Sequence, residues 1–259
     1  MSRSMPAFML LALAACAQAP AQVHAPLPWD GARQAVVVTT DGWDATHGTL
    51  RRFERVAAGG WRAVGEARPI VVGRNGSGWG LGLHPAPDAA VAAGDPVKRE
   101  GDGRAPAGVF AIGTAFGYAG SAGTALPYQA MDAGDWCIDV SGSPLYNRIV
   151  DVDDVGASAV EGSTEPMRRD LHADGDQRYR LGFVIEHNAA AVPQAGSCIF
   201  AHLWKTPGTA TAGCTAMAPK TMEAVLGWLD PDAQPVFVLL PAGEYAALRA
   251  GWRLPELPR

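Results

Sequence analysis

The chain has 259 residues, enough for one large domain or two small ones with a substantial core. Its net charge is −5, with acids and bases mixed along the chain and no Lys/Arg-rich block, which argues against nucleic acid as a partner. Glycine (31) and proline (20) exceed average usage without a G-X-Y period, which excludes a collagen-like chain and points to many turns.

The chain opens "MSRSMPAFMLLALAACAQAP". Arg3 supplies a positive start, and the apolar run 7–15 is too short to span a bilayer, so residues 1–16 read as a signal peptide. The run ends in Leu13-Ala14-Ala15-Cys16, which resembles the lipobox of bacterial lipoproteins, where the cysteine is lipidated and becomes the new N-terminus. Ordinary signal cleavage stays open, because Ala15-Cys16-Ala17 also fits a small-x-small site. Both readings export the chain. The expected location is the periplasm, with a lipid on Cys16 anchoring it to the inner or outer membrane. Residues 17–32, "AQAPAQVHAPLPWDGA", are Ala/Pro-rich and read as a tether, leaving 33–259 as one domain.

The elements predicted next are mostly strands. "QAVVVTT" (34–40) is valine-rich. "TLRRFERV" (49–56) and "WRAVGE" (61–66) flank Gly59-Gly60, a hairpin signal. "PIVVGRNG" (69–76), "GVFAIGTAFGY" (108–118), "WCIDV" (136–140), "RYRLGFVIEHN" (178–188), "SCIFAHLW" (197–204) and "PVFVLLP" (235–241) follow. Short strands divided by turn signals predict a mainly β fold, a sandwich or barrel. Helices are few. "PKTMEAVLGWLD" (219–230) has Pro219 at its first position and an apolar stripe of Met222, Val225, Leu226 and Leu229. Weaker candidates are "EPMRRDL" (165–171) and "GEYAALRAGW" (243–252).

With Cys16 lipidated or removed, three cysteines remain, so one stays free or pairs between chains. Cys137 and Cys198 lie in apolar, strand-like surroundings and are either bridged or buried thiols. Cys214 differs. It follows Gly213 in a loop of small residues and precedes the helix predicted at Pro219. A thiolate needs a nearby base or positive field, so Cys214 is expected to be a free, low-pKa thiol. Backbone N–H groups entering the helix would stabilise it and, with the Cys214 N–H, form an oxyanion hole. Of the six histidines, His202 is best placed as the base, on a strand whose following loop returns to Cys214. The bland alternative is a core histidine beside an inert thiol.

"CIFAHLWKTPGTATAGCTAM" (198–217) resembles the active-site segment of the L,D-transpeptidase (YkuD-type) catalytic domain, in the branch whose signature ends Gly-Cys-Thr-Ala-Met. "VVGRNGSGWGLGLH" (71–84), "KREGDGRAPAGVFAIGTAFGY" (98–118) and "WCIDVSGSPLYNRIVD" (136–151) resemble further blocks of that branch, in the same order. The resemblance implies a mainly β, YkuD-like sandwich or barrel with a few short helices, one just after the cysteine. It implies that Cys214 attacks a carbonyl of a peptidoglycan tetrapeptide stem, that an acyl-thioester forms, and that an amine acceptor resolves it. His202 then serves as the base and Gly213 as part of the oxyanion-stabilising backbone, with no metal or organic cofactor. The commoner family pattern has a histidine before the Gly-Cys pair and an arginine soon after; this chain has Ala212 and no such arginine. A substrate carboxylate would need another cation, for which Arg74, Arg104 and Lys205 are candidates, with Trp204 as a wall of the cleft. Three alternatives remain: an L,D-carboxypeptidase or peptidase of the same fold, a non-catalytic peptidoglycan-binding lipoprotein, and a metal hydrolase using His172, Asp174, His187 and His202. The last lacks ligand spacing such as HExxH.

Overall fold

The structure is a computed structural model and describes residues 25–57, 59–85 and 94–258. The signal peptide 1–16, the lipidation candidate Cys16 and tether residues 17–24 lie outside the described residues. Thirteen strands and four short α-helices are described. The strands are β1 (Gln34–Thr40), β2 (His47–Arg55), β3 (Trp61–Val71), β4 (Ser77–Trp79), β5 (Ala105–Gly117), β6 (Tyr128–Ala130) and β7 (Asp135–Cys137). They continue with β8 (Ile149–Asp151), β9 (Glu165–Pro166), β10 (Leu181–Ile185), β11 (Phe200–Leu203), β12 (Thr215–Met217) and β13 (Val236–Pro241). The helices are α1 (Val152–Val155), α2 (Arg169–His172), α3 (Pro219–Leu226) and α4 (Ala242–Leu248).

The fold is mainly β, and its large sheet closes on itself. Strands run in the order β10-β11-β12-β3-β2-β1-β13-β5, and β5 pairs back onto β10. Closure leaves those eight strands without a free edge. β5 makes it possible by its length. Gly108–Ala111 pair with β13, and Ile112–Gly117 pair with β10 across a register shift. β1 and β13 run parallel and are almost wholly buried, as the Val36–Val38 run of β1 and the apolar β13 sequence require. The hairpin expected at Gly59-Gly60 is present, joining β2 to β3. The two strands expected at 61–66 and 69–76 merge into β3. Gly65, at φ +69°, lies in the register shift opposite Leu50 and Arg52, where a bulge absorbs the extra residues.

Two expectations change here. The stretch 17–32 is not a free tether over its last residues: Trp29 is 2% exposed, and its Nε1–H donates to Trp252 O at 2.9 Å. The helix expected over 165–171 splits, because Glu165 and Pro166 pair with Cys137 and Trp136 as β9 and only Arg169–His172 are helical. Strands β8-β7-β9 form a small second sheet beside the barrel. A separate apolar cluster fills the gap between the two, and it contains Phe116, Met167, Tyr179, Phe200 and Cys214. Cys137 of β7 is bridged to Cys198 in this cluster, so the alternative of two free buried thiols is set aside.

Candidate active site

Parallel pairing of β11 with β12 puts Ala201 beside Thr215 and His202 beside Ala216. Continued one residue back, the ladder sets Phe200 next to Cys214, and His202 shares the face of Phe200 because strand side chains alternate. Cys214 and His202 thus line one cavity of about 290 Å³. Gly213 ahead of the cysteine adopts φ +153°, and a Cβ there would lie 2.9 Å from Arg104 O, so only glycine fits this approach. A larger cavity, about 480 Å³, is lined by Trp29, Leu126 and Glu186 among others and holds neither a cysteine nor a histidine.

Cys214 is the free cysteine among the described residues, and it is buried. Its sulfur accepts the Phe200 N–H at 3.3 Å and donates to Cys198 O at 3.5 Å. The expected low-pKa thiol is corrected: burial, then the negative Glu165, pushes the thiol up to about 12, against the opposing pull of the Phe200 N–H and Lys98. The expected helix contribution is corrected too. Strand β12 separates Cys214 from α3, and the amide on the sulfur comes from β11 instead.

His202 is buried, and its Nδ1 lies 2.7 Å from Leu203 O. A carbonyl can only accept, so Nδ1 carries the proton and Nε2 is left as the basic nitrogen. Burial, with Arg178 and Arg169 nearby, pulls its pKa down to about 4 despite that carbonyl. The imidazole is therefore neutral at neutral pH. The Gly213 N–H donates to Thr211 Oγ1 at 3.1 Å, so it is committed, whereas the Cys214 N–H has no acceptor among the described residues.

The four candidate substrate contacts lie elsewhere. Arg104 is tied to Trp43 O, Ser77 O and Asp44, and it packs behind Gly213 through its backbone. Arg74 pairs through its backbone N–H with Thr211 O, and its side chain is exposed. Neither these two nor Trp204 and Lys205 line the cavity with Cys214. The cations that do are Lys98, Arg169 and Arg178. Lys98 Nζ donates to Asp102 Oδ1 at 2.7 Å with its side chain 3% exposed. Asp176 bonds both Arg178 and Arg169, which hold its carboxyl well below the usual range despite burial.

Glu165 and Tyr179 complete the wall. The sequence reading passed over both. Glu165 stood in a predicted helix and Tyr179 at the head of a predicted strand, and neither position carries a motif. Lys98 had a signal, since it opens the block 98–118. His187 accepts from the Leu81 N–H and reaches Ala195 O, and His172 reaches Ala133 O, so both serve the scaffold. No cluster of His, Cys, Asp and Glu able to hold a metal exists among the described residues. No family model, curated protein or solved structure matches this chain.

Proposed function

We propose that this protein is an exported cell-wall enzyme, an L,D-transpeptidase-like cysteine acyltransferase acting on peptidoglycan tetrapeptide stems. One observation carries the reading: a free thiol shares a cavity with a neutral histidine whose Nδ1 proton is held by a backbone carbonyl. The Cys214 thiol loses its proton to a base of the cavity, a role the sequence resemblance gives to His202. The sulfur attacks the stem carbonyl, and the Cys214 N–H faces the oxyanion. Collapse expels D-Ala as its amine nitrogen takes up that proton from the base, and an acceptor amine then resolves the thioester. A structural disulfide belongs to an oxidising compartment, which supports export and, with the sequence of residues 1–16, a periplasmic lipoprotein.

The test is mass spectrometry of tetrapeptide muropeptides incubated with the protein. Loss of D-Ala with a new 3→3 dimer is expected, and Cys214→Ala abolishes both. Loss of D-Ala without a dimer would make the enzyme an L,D-carboxypeptidase. Identical products from wild type and Cys214→Ala sink the enzymatic reading. The thiol's raised pKa favours the second reading, a non-catalytic peptidoglycan-binding lipoprotein. Retained sedimentation with peptidoglycan in the absence of turnover would support it.

A further inference from the structure

His202 poses an electrostatic difficulty as the base. A proton on its Nε2 would create an imidazolium in a buried site already facing Arg169 and Arg178. A carboxylate in the same cavity avoids that cost, because moving a proton from the thiol to it relocates a negative charge without making a new ion. Glu100, Asp139 and Glu165 line the cavity; Glu100 is taken up by Tyr146 and Ser197 and Asp139 by Thr164, which leaves Glu165, the one bonded to Tyr179.

Tyr179 connects the two. Its hydroxyl donates to Glu165 Oε1 at 2.7 Å, and Tyr179 lines the same cavity as Cys214 and packs in the same apolar cluster. Its ring is clamped edge-on by Phe116, Phe200 and His202, with centroids 5.8, 5.5 and 5.1 Å away, and Arg169 lies 5.4 Å over its face. Glu165 is held in turn by Arg169 Nη1, 3.0 Å from the oxygen that Tyr179 bonds. Its second oxygen bonds none of these groups.

We propose that Tyr179 is a catalytic residue that relays the Cys214 proton to Glu165, with His202 a positioning residue packed against the Tyr179 ring. The proposal rests on the reading of Cys214 as a nucleophile. The Sγ–H proton passes to Tyr179 Oη while the Tyr179 proton passes to Glu165 Oε1. The products are a thiolate, an unchanged tyrosine and a neutral acid. When the amine leaves, the two transfers reverse, from Glu165 to Tyr179 and from Tyr179 to the amine nitrogen, so the thiol proton ends on the product. Burial raises the Glu165 carboxyl, against the pull of Tyr179 and Arg169, which suits it to hold that proton. The other charges facing the relay are Lys98 and Glu100 from the β4–β5 segment, Asp139 after β7, and Asp176 and Arg178 before β10.

The experiment is the pH dependence of Cys214 alkylation by iodoacetamide in the full-length protein, with folding checked by circular dichroism. A wild-type rate that rises with Glu165 ionisation is expected, along with at least a tenfold slower rate at pH 7 in Tyr179→Phe and in Glu165→Gln. Glu165→Gln preserves the side-chain shape and an acceptor for Tyr179, so it separates proton transfer from packing. Wild-type rates and profiles in both variants overturn the relay, as does a folded wild-type thiol that never alkylates. A loss confined to His202→Gln also overturns it and returns the role to the imidazole. Because alkylation needs no stem peptide, the relay stands or falls separately from the muropeptide outcome.

Discussion

Cys214 and His202 are each displaced from their ordinary protonation by burial, in directions that leave both neutral at rest. Sequence spacing brought the pair together, yet it could not reveal their desolvation, which depends on Phe116, Tyr179 and Phe200 packing over them. The same effect reaches His187, whose pKa burial lowers to about 4. A histidine held below its unfolded value near 6.5 binds its proton in the unfolded chain first. Its contribution to stability is complete above that value and is lost as pH falls from about 6.5 through about 4. Urea unfolding between pH 7 and 4.5 should therefore show stability falling by ~1.4 kcal/mol per pH unit from this group. The His187→Gln variant should lack that component, and an unchanged slope would mean that His187 does not carry it.

Strand β7 and the residues leading into β11 form the joint on which the cavity depends. The Cys137–Cys198 bridge ties the small sheet, which brings Glu165 to the cavity, to the segment whose Cys198 carbonyl touches the Cys214 sulfur. The bridged residues are 61 apart in sequence, a separation that gives about 4 kcal/mol of loop-closure stabilisation. The double variant Cys137→Ser, Cys198→Ser should lose roughly 2–4 kcal/mol in urea unfolding. Its Cys214 should also alkylate faster, because the wall over the sulfur loosens. Full wild-type stability would mean that the small sheet is held by its apolar cluster alone. Sequence context marked both cysteines as apolar and strand-bound but left the pairing open, since a bridge requires proximity across the fold.

At the scale of the whole molecule, closure of the sheet and the packing of Trp29 define the domain. Trp29 packs edge-on to Trp252, with centroids 5.5 Å apart, so the two ends of the described chain meet in the core. Trp29→Ala should cost about 3–5 kcal/mol in chemical denaturation, as for other buried aromatics. A change below about 1 kcal/mol would restore residues 25–32 to a tether, since surface substitutions cost little.

Local pattern was enough for β1, β11, β13 and α3, because valine runs, strand-length apolar segments and a helical stripe follow from each residue's own chemistry. Cys214, Gly213 and His202, which lie within thirteen residues of one another on neighbouring segments, do line one cavity, as their short separation allows. Barrel closure through β5 and β10, the disulfide, the cations of the cavity and the Glu165–Tyr179 contact were decided by tertiary structure alone. Each joins segments far apart in sequence, and side-chain burial there, rather than residue identity, sets the charge state. The "TAGCTAM" stretch holds the free cysteine, while its protonation is governed by residues that the chain brings in from positions 98, 165, 179 and 200.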